Sequence, residues 1–213
     1  MSSLTYTLLT DGSSDQVLLR LLTWLLRRHG VTCPIQAEWA DLQLLAKPPR
    51  GLEARIRASL DLFPCDLLFV HRDAEREPRE NRVVEIRRAL EALTDITLPV
   101  VCVVPIRMQE AWLLFDEMAI RSTAGNPNGA VPLLLPRLRD IEGMPDPKQR
   151  LQELLKTASG LTGRPRQQLN LSSCARRVAE YIEDFSPLDN LPAFVALNND
   201  VSRLPERYHW DDL

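Results

Sequence analysis

Leu4-Thr5-Tyr6-Thr7-Leu8-Leu9-Thr10-Asp11-Gly12-Ser13-Ser14-Asp15 decides how the rest of the chain is read. A β-prone run over Leu4 to Thr10 ends in an acidic, glycine-containing turn. Ser13 with Gln16 three residues on makes a capping-box pattern for a helix. Leu18, Leu21, Leu22, Leu25 and Leu26 then recur at helical spacing until His29-Gly30 ends them. A strand that hands carboxylates to its C-terminal end and turns at once into a helix is the opening unit of an α/β sheet.

The same unit recurs further along. Thr32 to Glu38 is a weaker strand, broken at its start by Pro34, and Lys47 to Gly51 is a loop. A helix over Leu52 to Leu62 precedes Leu67-Leu68-Phe69-Val70, which is apolar at successive residues, as a strand covered on both faces must be. That strand ends in His71-Arg72-Asp73-Ala74-Glu75. Residues 81–94 read as a helix, Leu98 to Pro105 as a second fully apolar strand, and Arg107 to Asp116 as a helix carrying Glu110 and Trp112. This alternation predicts a mostly parallel sheet flanked by helices, a Rossmann-like arrangement over residues 1–120. Ligands of such sheets collect outside the carboxyl ends of the strands. Residues 121–213 predict a mainly helical C-terminal extension packed on it, with helices over 147–159, 171–185 and 188–199.

Composition narrows the function classes. The 213 residues carry a net charge of −3, so no global basic field points to nucleic acid. Residues 137–177 nevertheless hold nine basic and four acidic side chains, and Arg164, Arg166, Arg176 and Arg177 among them could rim a nucleic-acid surface. A solvated helix face explains them as well. Four dispersed cysteines with no Cys-x-x-Cys pair argue against zinc. No leader and no long apolar run appears, which predicts a cytoplasmic protein with no membrane partner. The chain lacks a phosphate-binding Gly-x-x-x-x-Gly-Lys-[Ser/Thr] loop, so any ATP hydrolysis falls to a partner.

Asp11 and Asp15 after the first strand, Asp73 and Glu75 after the third, and Glu110 after the fourth fall on one predicted edge. Mg²⁺ or Mn²⁺ takes hard oxygen ligands, and ions held there would stabilise the attacking and leaving oxygens of a phosphoryl transfer. Taken alone, Asp11 and Asp15 are explained equally by a helix N-terminus, which favours negative charge. They also match the start of the Asp-x-Ser-x-Ser adhesion site of von Willebrand A domains, a reading that leaves Asp73 and Glu75 without a role. His71 reads as a packing residue that could help position a phosphate, and Trp112 as core.

Leu8 to Asp15 resembles the strand-then-"E-G-x-x-D" opening of Toprim domains, as in OLD-family nucleases, topoisomerases and DnaG-type primases. Leu67 to Glu75 resembles their strand-then-"D-x-D". Pro105-Ile106-Arg107-Met108-Gln109-Glu110-Ala111-Trp112-Leu113-Leu114-Phe115-Asp116 resembles a "P-x-x-x-x-E-x-W-L-L-x-D" segment of small bacterial Toprim-like proteins, some encoded beside ABC-type ATPases in phage-defence settings. The resemblance implies a Mg²⁺-dependent nuclease of phage defence acting on nucleic acid. Asp11, Asp15, Asp73, Glu75 and Glu110 would be its metal ligands, Asp11 and Lys148 its catalytic groups, and Arg72 and Arg107 its phosphate contacts. The alternative it implies is a non-catalytic regulatory or scaffold subunit of an ABC-type ATPase complex, and it leaves an oligomer open. Asp11 stands where the family has glutamate, and Glu75 where it has the second aspartate. Both keep the charge but move the oxygens by about an ångström, a displacement that can cost ~100-fold in rate.

Overall fold

The computed structural model describes residues 3–75 and 77–210. Strands β1 (Leu4–Leu9), β2 (Ile35–Trp39), β3 (Leu67–His71) and β4 (Val100–Val103) form one sheet in the order β2-β1-β3-β4, and every neighbouring pair is parallel. Leu9 lies opposite Val70, and Val70 opposite Cys102. The chain steps from β1 outward to β2 and then back past β1 to β3. The order therefore reverses between β1 and β3, which opens the crevice where ligands of such sheets bind.

Among the described residues the helices are α1 (Leu18–Arg28), α2 (Leu52–Leu62), α3 (Arg79–Glu91), α4 (Glu117–Thr123), α5 (Pro147–Ala158), α6 (Gly163–Gln167), α7 (Leu171–Tyr181), α8 (Pro192–Ser202) and α9 (Leu204–Tyr208). No described helix is long and apolar enough to cross a membrane.

Alternation along the strands builds two cores. Tyr6, Leu8, Phe69 and Val103 face a large core that takes in α1, α5, α7 and α8 and runs to Trp210. Leu9, Leu68, Val70 and Cys102 face the other side, against Ile56 of α2 and Ile86 of α3. Every residue of β3 is buried, which is why its sequence shows no polar alternation. Tyr6 meets Phe69 edge-on at 5.3 Å, and its hydroxyl donates to the Leu19 carbonyl at 2.8 Å, so the ring is buried without an orphaned polar tip. Trp112 is core, as its apolar setting predicts. Its indole N–H donates to Glu142 Oε1 at 2.9 Å, and its ring meets Phe194 edge-on.

Leu18, Leu21, Leu22, Leu25 and Leu26 all point into the large core, so the leucine spacing of α1 reads out directly as burial. Leu22 is completely buried. Leu22→Ala is expected to cost about 2–5 kcal/mol, seen as a lower urea midpoint at an unchanged m-value.

Several local expectations are corrected. The turn after β1 is not closed by a Ser13/Gln16 box. Gly12 is the capping position of a short 3₁₀ turn (Ser13–Val17), and its N–H donates to Asp15 Oδ2 at 3.1 Å. No helix spans Arg107 to Asp116. Arg107 takes a left-handed conformation (φ 70°) and Met108 is extended, so only a 3₁₀ turn at Gln109–Leu113 forms. Asp116 then accepts the Ala119 N–H at 2.9 Å and starts α4. In the C-terminal third, α7 ends at Tyr181, where Ile182 turns to extended backbone, and Pro187 and Pro192 then start a 3₁₀ turn (Ser186–Asn190) and α8.

Candidate functional site

The C-terminal ends of β1 and β3 carry the acids, and the turn after β4 closes over them. Past β3 the backbone keeps pairing with the β4 side: Arg72 N–H donates to Val103 O at 3.2 Å, Ala74 to Pro105 at 3.2 Å, and Glu75 to Arg107 at 2.9 Å. Glu75 and Arg107 are both left-handed (φ 55° and 70°), a conformation costing on the order of 1–3 kcal/mol for such residues. This paired, strained loop brings Gln109 and Glu110 over the sheet edge.

Asp15, His71, Asp73 and Gln109 form one hydrogen-bonded group. Asp15 is buried, and its carboxylate accepts from Gly12 N–H, from Ser14 Oγ at 2.9 Å and from Gln109 Nε2 at 2.9 Å. Asp73 Oδ1 accepts the Gln109 backbone N–H at 3.2 Å. His71 lies beneath both, its Nδ1 2.9 Å from the Val103 carbonyl, so Nδ1 carries the proton and donates. Its Nε2 stands 3.4 Å from Asp73 Oδ1 and 3.7 Å from Asp15 Oδ2. Burial works against a charged ring, but Asp73 and then Asp15 outweigh it, and the His71 pKa rises above its ordinary 6.5. Burial likewise raises the Asp15 carboxyl, a rise that His71 only partly offsets.

Glu110 is the third carboxylate of this edge. It is 4% exposed, Oε1 is 3.7 Å from Lys148 Nζ, and Oε2 has no hydrogen-bond partner. Burial pushes its pKa up; Lys148 opposes that, while Asp73 and Asp15 add to it. Lys148 sits in the first turn of α5, where the helix dipole disfavours a cation by about 0.3–1 kcal/mol.

The remaining expected residues lie elsewhere or are already engaged. The Asp11 carboxylate is held between Arg55 and Arg72, with Arg72 Nε at 2.7 Å in an ion pair rather than an aligned hydrogen bond. Arg72 also pairs with Glu85 at 2.8 Å. Arg55 further donates to the Thr10 carbonyl, fixing the turn. Arg107 donates to the Glu75 carbonyl at 3.1 Å, and Glu75 itself is exposed. Among the described residues, no three His, Cys, Asp or Glu side chains stand together as a group that could hold a metal ion.

Sequence reasoning missed Gln109 and Arg55. Gln109 ties Asp15 to Asp73 through both its side chain and its backbone, and only its place beside Glu110 hinted at this. Arg55 lies on α2 with no local signal that it reaches Asp11, 44 positions away.

Compared with protein-family models, with curated proteins and with solved structures, the chain matches none.

Proposed function

We propose that this chain is a Mg²⁺- or Mn²⁺-dependent phosphoryl-transfer enzyme on a Toprim-like fold, a nuclease acting on nucleic acid. The observation that carries the reading is the placing of Asp15 and Asp73 on either side of His71, with the Glu110–Lys148 pair close by, at the point where the sheet order reverses. Burying Glu110 with Oε2 unpartnered is costly unless a cation stands against that oxygen.

The donor chemistry fits a hard divalent cation. Mg²⁺ keeps several waters and needs only one or two protein carboxylates, so a complete cage is not required. Asp73 and Glu110, with its unpartnered Oε2, would hold it, and Asp15 would support them. Bound there, the ion would neutralise charge developing on the transferring phosphoryl group. The chain's own residues do the rest. Gln109 fixes the spacing of Asp15 and Asp73, His71 stands between them, and Lys148 meets phosphate charge. In this donor set Asp11 is a positioning residue, because Arg55 and Arg72 already satisfy it.

A second reading has its own support. Asp11 neutralised by two arginines is what a binding-only Toprim-like scaffold, such as a regulatory subunit of an ABC-type ATPase complex in phage defence, would tolerate. Plasmid nicking and RNA cleavage by the wild-type chain, with Mg²⁺ or Mn²⁺ and with EDTA, separate the two. Metal-dependent cleavage is expected. No cleavage of either substrate, together with no calorimetric signal for Mn²⁺, would leave the scaffold reading.

A further inference from the structure

Between Glu153 and Glu180 the chain carries Lys156, Arg164, Arg166, Arg176 and Arg177 and no acid. These cations are spread over α5, α6 and α7. Among the described residues Arg177 alone of the five has an ion-pair partner, Glu180 at 3.5 Å. A face that is merely solvated mixes both signs of charge. An uncompensated run of one sign raises a field that draws the opposite charge.

The cations line a groove that leads to the acids. A cavity of 410 Å³ is walled by Glu110 on the sheet side and by Lys148, Gln152, Ser172 and Arg176 on the helix side. A second, of 420 Å³, is walled by Lys156, Arg166 and Leu171. Ser172 of the first follows Leu171 of the second directly in the chain, and Lys156 stands one helical turn past Gln152, so the two cavities adjoin. Lys148, Gln152 and Lys156 share one face of α5 and span about 12 Å at ~1.5 Å per residue. Glu110 is the one acid in either wall among the described residues. α7 packs against the 3₁₀ turn that carries Asp15, which sets the mouth of the groove at the carboxylates.

A row of cations of that length is not met by one small anion. It matches charges repeated along a chain, as phosphates repeat every ~3.4 Å along a strand. The helices that flank the groove, α5 and α7, pack together. Packed helices lie ~8–10 Å apart, and the furrow between them takes one strand and is too narrow for a duplex. Neither wall holds an aromatic ring to stack a base, so the contact is to phosphates and is blind to sequence.

We infer that this groove carries the phosphodiester backbone of a single nucleic-acid strand to the carboxylates at the sheet edge. Lys156, Arg166 and Arg176 meet its phosphates along the way. That this strand is the one cleaved rests on the phosphoryl-transfer reading above; its binding does not.

Fluorescence anisotropy of a labelled single-stranded DNA oligonucleotide, longer than the ~4–16 nucleotides such grooves cover, measures binding to the full chain in EDTA across a salt series. Log affinity should fall linearly with log salt, and equally for two oligonucleotides of different sequence. Arg166→Ala and Arg176→Ala should each lower that slope by ~0.7 and weaken binding about fivefold at ~0.1 M salt. Tm should not change, because both side chains are exposed. Arg87→Ala removes the same charge from an exposed position on α3, across the sheet, and should alter neither slope nor affinity. No binding at low salt, an equal loss in the Arg87 variant, or a duplex bound more tightly than the strand would each overturn the groove. So would anionic phospholipid vesicles that bind as tightly as the oligonucleotide. Strand binding without metal-dependent cleavage would count against the catalytic reading alone. Cleavage that both groove variants leave unchanged at subsaturating substrate would count against the groove alone.

Discussion

Asp73→Asn is expected to lower metal-dependent cleavage by at least about 100-fold, the size of effect that follows removal of one preorganised charge-stabilising group. The asparagine oxygen can still accept the Gln109 backbone N–H, now 3.2 Å from Asp73 Oδ1, so the loop keeps its place and the loss reports charge rather than misfolding. Glu110→Gln should fall in the same range, because its unpartnered Oε2 is the other oxygen offered to a cation. Asp11→Asn should cost far less, since two arginines already neutralise that carboxylate. Cleavage rates under single-turnover conditions, with circular dichroism to verify folding, rank the three. An Asp11 variant as impaired as the Asp73 variant would move the reaction to a different donor set.

His71→Ala is the substitution with the largest expected effect on stability, about 3–5 kcal/mol. It removes the imidazole that stands between Asp15 and Asp73 and leaves Asp15 buried beside another carboxylate. That is a large part of the ~5–15 kcal/mol by which domains are stable. The same group sets a pH trend. The folded His71 pKa lies above 6.5, so its contribution is full below pH 6.5 and is lost as pH rises through the folded value. Asp15 and Glu110 are raised above 3.8 and 4.5, so their penalty is absent below those values and grows as pH rises. All three make the folded state hold more protons than the unfolded chain, and stability falls with rising pH. Asp95 and Asp184 act the other way, but their effect lies at and below their ordinary value of 3.8. Urea titrations from pH 5 to 9 should show the decline in wild type, and His71→Ala should lose the part of it above pH 6.5. A wild-type stability that climbs over this range would contradict the protonated cluster.

Much of the fold is visible in runs of a few residues. Leu67 to Val70 and Val100 to Val103 are unbroken apolar stretches because helices cover both faces of the sheet, and the leucines of α1 repeat because one face meets the core. The acids after β1 and β3 are visible for the same reason: they sit where a strand stops. What the local pattern does not carry is side-chain direction over long separations. Gln109 reaches Asp15 across 94 positions, and Arg55 closes on Asp11 across 44. The helical spacing of Arg107 to Asp116 misleads because the strained Arg107 backbone, tied to Glu75, ends any helix before it starts. His71 reads as one polar residue closing an apolar strand, and its role appears only when Asp15 and Asp73 arrive from either side.

The most direct measurement is an anomalous difference map from a crystal soaked in Mn²⁺. The account predicts a peak in contact with the carboxylates of Asp73 and Glu110. No peak at saturating Mn²⁺, or a peak on Asp11 and Glu75 alone, would contradict it.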